Sequence, residues 1–167
     1  MNVFLDTEFS TDAAGNPLLI SIGLCSEAGQ EFYAEVELDG APIGLGEFVE
    51  EHVLPQLGKA PERVGSMREI AGQLVKWFNT QGQAELDVCY DYNVDYLLTE
   101  QLVQMVPETL TVQLRPTHIG YLLDDPSGLN AAEACWHELE TKRGIRRHHA
   151  LADALALQAR YRAVHGD

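Results

Sequence analysis

The sequence is short of positive charge: 11 lysines and arginines stand against 26 aspartates and glutamates, a formal net charge of −15 over 167 residues. Such a balance excludes a protein that coats nucleic acid by electrostatics alone, because the body of the molecule repels a polyanion. The chain also lacks any apolar run long enough to span a bilayer, so no membrane partner is expected. Its N-terminus opens on a strand-like segment without a basic leader, and a cytoplasmic location is expected. Cys25, Cys89 and Cys135 are far apart and form no C-x-x-C pair. That removes the usual zinc and thiol-redox readings and leaves buried free thiols. Repeats, low-complexity tracts and linkers are missing too. At this length one domain over residues 1–167 is expected, with enough chain to bury a core.

The few basic residues are unevenly placed. Six of the eleven (Lys142, Arg143, Arg146, Arg147, Arg160 and Arg162) fall in the last 26 residues. A basic segment on an acidic body can meet a polyanion locally, or simply balance nearby acids on a solvated helix face.

The period of the apolar residues divides the chain. Asn2 to Phe9 reads as a buried strand, Asp12 to Pro17 as a turn and Leu18 to Ser26 as a second strand. Gln30 to Leu38 alternates, with Phe32, Ala34, Val36 and Leu38 on one face and Tyr33, Glu35 and Glu37 on the other. Glu47 to Leu57 predicts a short helix interrupted by Pro55. Ser66 and Glu69 predict a capping box opening a helix to Phe78. A fourth strand over Ala84–Tyr90, a helix over Asp95–Val106 and a short fifth strand over Thr111–Leu114 follow. Asn130 with Glu133 predicts the start of a helix running to about Glu140, and Ala150–Val164 gives the last helix. The implied architecture is α/β: a mixed five-stranded sheet, three strands antiparallel and the rest parallel, flanked by helices. Ligands in such sheets tend to sit beyond the carboxyl ends of the parallel strands.

Three segments carry candidate chemistry. In Asp6-Thr7-Glu8 the two acids are two apart on a strand and therefore share a face. Paired hard oxygen ligands suit Mg²⁺ or Mn²⁺, although the tripeptide alone is uninformative. The segment Cys89–Tyr96 places Asp91 and Asp95 just beyond strand four, next to strand one. Asp95 taken alone also fits a helix N-terminus, and Asp91 a turn. In Arg147–Leu155, His148 and Asp153 lie five apart, roughly 140° around a helix. Both can approach one point only if His148 lies on the loop before the helix. Asp153 sits among Ala150, Leu151, Ala154 and Leu155, where a carboxylate needs a metal or a cation as partner.

With these segments in hand, the chain resembles the DEDD exonucleases of the ribonuclease-H-like fold, in their histidine-containing branch. That family carries D-x-E on strand one, an aspartate after strand four and H-x-x-x-x-D at the last helix. The start F-L-D-T-E-F, the L-I-S-I-G strand, F-Y-A-E and E-H-V-L-P also look like a small stand-alone bacterial group of exoribonucleases. The resemblance implies a two-metal site of Mg²⁺ or Mn²⁺ on Asp6, Glu8, Asp95 and Asp153, with His148 as general base. It implies hydrolysis from the 3′ end of single-stranded nucleic acid, RNA slightly before DNA, to nucleoside 5′-monophosphates. Thr7, Phe9, Arg146 and Arg147 are the implied substrate contacts, and a homodimer the implied assembly. The family's N-x-x-F-D segment reads D-Y-N-V-D here; matching its last residue selects Asp95, while a shifted match selects Asp91. The alternative is an inactive nucleic-acid-binding module that keeps the fold.

Overall fold

A computed structural model describes residues 1–37, 45–59 and 63–166. Ten main elements run in the order β1 (Asn2–Thr11), β2 (Pro17–Ser26), β3 (Glu31–Val36), β4 (Val64–Gly65), α1 (Met67–Thr80), β5 (Glu85–Tyr90), α2 (Asn93–Gln104), β6 (Gln113–His118), α3 (Pro126–Arg143) and α4 (Ala150–His165). The strands form one mixed sheet in the order β4-β3-β2-β1-β5-β6. β1, β2 and β3 are antiparallel neighbours, while β5 runs parallel to both β1 and β6. This is the mixed, helix-flanked α/β sheet expected from the sequence, and it is compatible with a ribonuclease-H-like arrangement.

The sheet has six strands rather than the expected five. The added strand, β4, pairs in parallel with β3 through Glu35 and Val36. Two residues are too few to show a period, so nothing in the sequence announced it. The last residue of the expected third strand, Leu38, lies outside the described residues.

Each strand divides its side chains between two layers. Val3 and Leu5 join Ile22, Leu24, Phe32 and Ala34 beneath α1 and α2, packing on Ile70, Leu74, Phe78, Leu98 and Leu102. Phe4, Cys25 and Cys89 face the other way, onto Ala154 and Leu157 of α4. Asp6 and Glu8 continue the Phe4 row, so they point toward α4.

α4 comes unusually close to the sheet. Gly23 pairs with Asp6, and a Cβ built on it would stand 2.2 Å from the Leu151 nitrogen and 2.3 Å from the Ala150 carbonyl carbon. Only glycine lets that helix start sit against β2. The buried Ala150, Ala152, Ala154 and Ala156 keep α4 slim enough to pass between sheet and α3.

Helix ends follow local chemistry. The Ser66 hydroxyl accepts from the Glu69 N–H, and the Glu69 carboxylate accepts from the Ser66 N–H, completing the expected capping box. α3 begins earlier than Asn130: Asp125 caps it, accepting from the Ser127 and Gly128 N–H groups, with Pro126 in the first helical position. It ends at Gly144, whose φ of 69° closes the helix in the left-handed conformation. The segment around Pro55 is a five-residue π-helix, Val49–Val53, running into a 3₁₀ turn, Leu54–Gln56. All three cysteines are free thiols; Cys25 and Cys89 are buried, but Cys135 is half-buried. Among the described residues no helix is long and apolar enough to cross a membrane.

Candidate active site

β1, the end of β5 and the first turn of α2 bring four acids to a fifth, Asp153, at the start of α4. They form two groups. One oxygen each from Asp6, Asp91 and Asp95 lie within 4.8 Å of one another, and so do ligand atoms of Glu8, His148 and Asp153. Both aspartates of the Asp91–Asp95 segment therefore join Asp6.

Asp95 lies in the first turn of α2, only 2% exposed. Its Oδ1 accepts the Thr7 hydroxyl at 2.7 Å and the Thr7 N–H at 3.3 Å. Its Oδ2 is buried and has no hydrogen-bond partner among the described residues. A helix-dipole acid would face solvent; this one is turned inward. Thr7 is one of the expected substrate contacts. The residue is buried, and its hydroxyl is committed to Asp95 because odd-numbered β1 side chains face α2.

Asp153 projects from the first turn of α4. Its Oδ1 accepts the Trp136 indole N–H at 2.6 Å, and its Oδ2 accepts the His148 backbone N–H at 2.9 Å. In its apolar setting the carboxylate is held by this pair of neutral donors, with the charge of Arg147 nearby. Trp136, on α3, had no signal in the sequence as a site residue.

His148 lies on the loop before α4 with a φ of 68°, the left-handed region that a residue with a side chain rarely adopts. Its ring packs edge-on against Phe48 at 4.9 Å and near His52 at 5.6 Å. The π-helical segment thereby walls one side of the imidazole. His149 behaves differently. It is 1% exposed, stacks on Tyr33 at 4.2 Å and has neither ring nitrogen hydrogen-bonded among the described residues.

Of the remaining expected contacts, Phe9 is half-buried against the core and stacks parallel to Tyr92, an exposed residue. Arg146 is exposed. Arg147 is exposed with its guanidinium 5.1 Å from the centre of the Trp136 ring. Arg147 lines a cavity of about 160 Å³ together with Asp6, Asp91, Trp136, His148 and Asp153. Arg160 lines it too, a residue the sequence motifs did not single out.

Crowding sets the electrostatics. Burial, then the charges of Asp95, Asp153, Glu8 and Asp91, hold the Asp6 carboxyl well above its usual range. Burial with Asp153 and Asp95 pushes Glu8 up to about 9. Burial raises Asp153 to about 7 against the opposing pull of the His148 and Trp136 N–H groups. Asp95 also rises to about 7 through burial, opposed first by the Thr7 hydrogen bond. Burial lifts Asp91, with Arg160 pulling it back. His148 moves downward through burial and the nearby Arg147, so the neutral ring is favoured. Burial takes His149 down to about 4. Five acids that resist ionising together, one of them with an unused buried oxygen, form a donor set suited to hard divalent cations.

No protein-family model matches the chain. Over 58 residues it is 47% identical to proteins named 3′-5′ exoribonuclease from two strains of Mycobacterium tuberculosis. That stretch covers 34% of this chain and 33% of each relative, so the likeness to these exoribonucleases extends over about a third of their length.

Proposed function

We propose that this protein is a divalent-metal-dependent 3′→5′ exonuclease of the histidine-containing DEDD type. It releases nucleoside 5′-monophosphates from single-stranded nucleic acid, RNA before DNA. The observation that carries this reading is the meeting of two acidic groups, Asp6/Asp91/Asp95 and Glu8/His148/Asp153, at one end of the sheet. Asp6 and Asp95, joined by Asp91, would hold one Mg²⁺ or Mn²⁺ ion, and Glu8 with Asp153 the other. When bound, such ions neutralise phosphodiester charge and make water more acidic. The chain's own residues do the rest. His148, neutral and half-buried, accepts a proton from the attacking water at a ring nitrogen. Thr7 positions Asp95, while Trp136 and the His148 N–H position Asp153. Arg146 and Arg147 meet the substrate backbone. The exposed Tyr92 ring, backed by Phe9, offers a stacking surface for a base. The names of the partial relatives support the direction of digestion and the preference for RNA.

The test is digestion of end-labelled single-stranded RNA and DNA with Mg²⁺, Mn²⁺ or EDTA. Metal-dependent laddering from the 3′ end is the expected result, faster on RNA. Absence of hydrolysis on both polymers with either metal rejects the reading. Asp91→Asn and Asp95→Asn, compared side by side, identify the third carboxylate ligand: the larger loss is expected for Asp95→Asn.

A further inference from the structure

Arg160 stands on α4 seven residues beyond Asp153, almost two turns, so the two side chains share a face. Its side chain, only 7% exposed, lines the same cavity as Asp6, Asp91 and His148. A buried guanidinium is costly unless it is paired. Among the described residues Arg160 has no ion pair. It donates one 3.4 Å hydrogen bond from Nη1 to the Leu123 carbonyl, and its guanidinium lies 5.7 Å from the centre of the Trp136 ring. The Asp91 carboxyl feels its charge without bonding to it. Most of its donor capacity is therefore unspent in the cavity.

Arg147 shares the same indole. Trp136 thus carries a guanidinium from the loop before α4 and another from α4 itself, while its N–H holds Asp153. The cavity is lined by acids together with two planar cations. Guanidinium forks match phosphate oxygens in pairs. We infer that Arg160, with Arg147 beside it on Trp136, seats a phosphate of the bound nucleotide. The inference deepens the exonuclease reading and rests on it for the identity of the ligand. Arg160 is a binding residue and Trp136 a positioning residue, linking the phosphate seat to the Asp153 carboxylate.

The probes are cytidine 5′-monophosphate and cytidine, each titrated calorimetrically into the protein with Mg²⁺. The wild type is expected to prefer the monophosphate. Arg160→Gln should remove about tenfold or more of that preference, the worth of a charge-assisted phosphate contact, and leave cytidine binding unchanged. Arg160→Lys should retain part of it. A wild type that does not discriminate between the two, or an Arg160→Gln protein with full preference, overturns the inference. Should Arg160→Gln fail to melt cooperatively, Arg147→Gln at an exposed position decides: an undiminished preference there also overturns it. Digestion of labelled RNA in parallel separates the two readings. Hydrolysis by a wild type whose Arg160→Gln variant still binds monophosphate normally rejects the seat alone. Arg160-dependent binding by a protein that hydrolyses nothing rejects the exonuclease reading alone.

Discussion

Asp6 within β1 and Asp95 in the first turn of α2 meet Asp91 just past β5, whereas Glu8 on β1 and Asp153 in the first turn of α4 meet His148 on the loop before that helix. In the first group a β1 hydroxyl and N–H lock Asp95 in place. In the second, the loop N–H of His148 bonds Asp153, and the imidazole is braced by Phe48 and His52. The first group inherits the rigidity of the sheet. The second keeps its geometry only while a left-handed residue stays where β-branched or bulky side chains would be disfavoured. An acid–base residue placed there can be removed without disturbing the other group.

That contrast can be broken experimentally, and His148→Ala should do so most severely. Turnover is expected to fall by about 10²- to 10⁴-fold, the usual worth of a positioned proton acceptor. Divalent-cation affinity measured by calorimetry should remain near wild type. A loss of turnover below about tenfold, or an equal loss with His149→Ala, would remove His148 from its role.

Thr7→Val probes the sheet-held group. It deletes the hydroxyl donor to a buried carboxylate while keeping the backbone N–H, and turnover should drop by about tenfold. Thr7→Ser should restore most of the activity. If valine and serine behave alike, the hydroxyl does not position Asp95.

The smallest effect is on stability in EDTA as pH rises. Glu8 titrates at about 9 in the folded protein, well above its unfolded range, so the folded state holds a proton that the unfolded state has released. Stability from this group is complete below about pH 4 and is lost as pH climbs toward 9. The carboxyls of Asp95 and Asp153, at about 7, act in the same direction but are spent by neutral pH. His149, at about 4, acts oppositely, adding stability as pH rises toward about 6.5, where an unfolded histidine loses its proton. The melting temperature should fall from pH 7 to 9, where Asp6, also held well above its usual range, and the thiols, raised by burial, act in the same direction as Glu8. Glu8 supplies a slope of at most about 1.4 kcal/mol per pH unit. Glu8→Gln should lessen that fall, leaving the share of Asp6 and the thiols, and saturating Mg²⁺ or Mn²⁺ should reverse it. A melting temperature that is level from pH 7 to 9 in EDTA contradicts the crowding described for Glu8.

Much of this was readable from local pattern. The shared face of Asp6 and Glu8 follows from the two-residue period of a strand, and the Ser66–Glu69 box from its four-residue signature. The start of α3 was readable but misread: Asp125 followed by Pro126 is a cap and first-turn pair that competes with Asn130 and Glu133. Arg160 could have been found by counting seven from Asp153 along one helical face. Trp136 could not, because its bond to Asp153 joins two helices through tertiary packing alone. The bond from Thr7 to Asp95 was not readable: alternation along β1 fixes the direction of Thr7, while only the arrival of α2 shows that Asp95 waits there.

The Gly23 contact has a further meaning for how such a site can be transferred. The span between the β1 acids and Asp153 with its neighbour His148 is set by main chain meeting main chain, with no side chain acting as spacer. The site is thus defined as much by an omission as by its acids. Grafting the same carboxylates and imidazole onto another sheet would leave Asp153 and His148 farther from the strand unless the recipient carried a bare backbone at the matching position. Adding a single methyl at Gly23 would reproduce that failure in this protein, with every ligand still in the sequence.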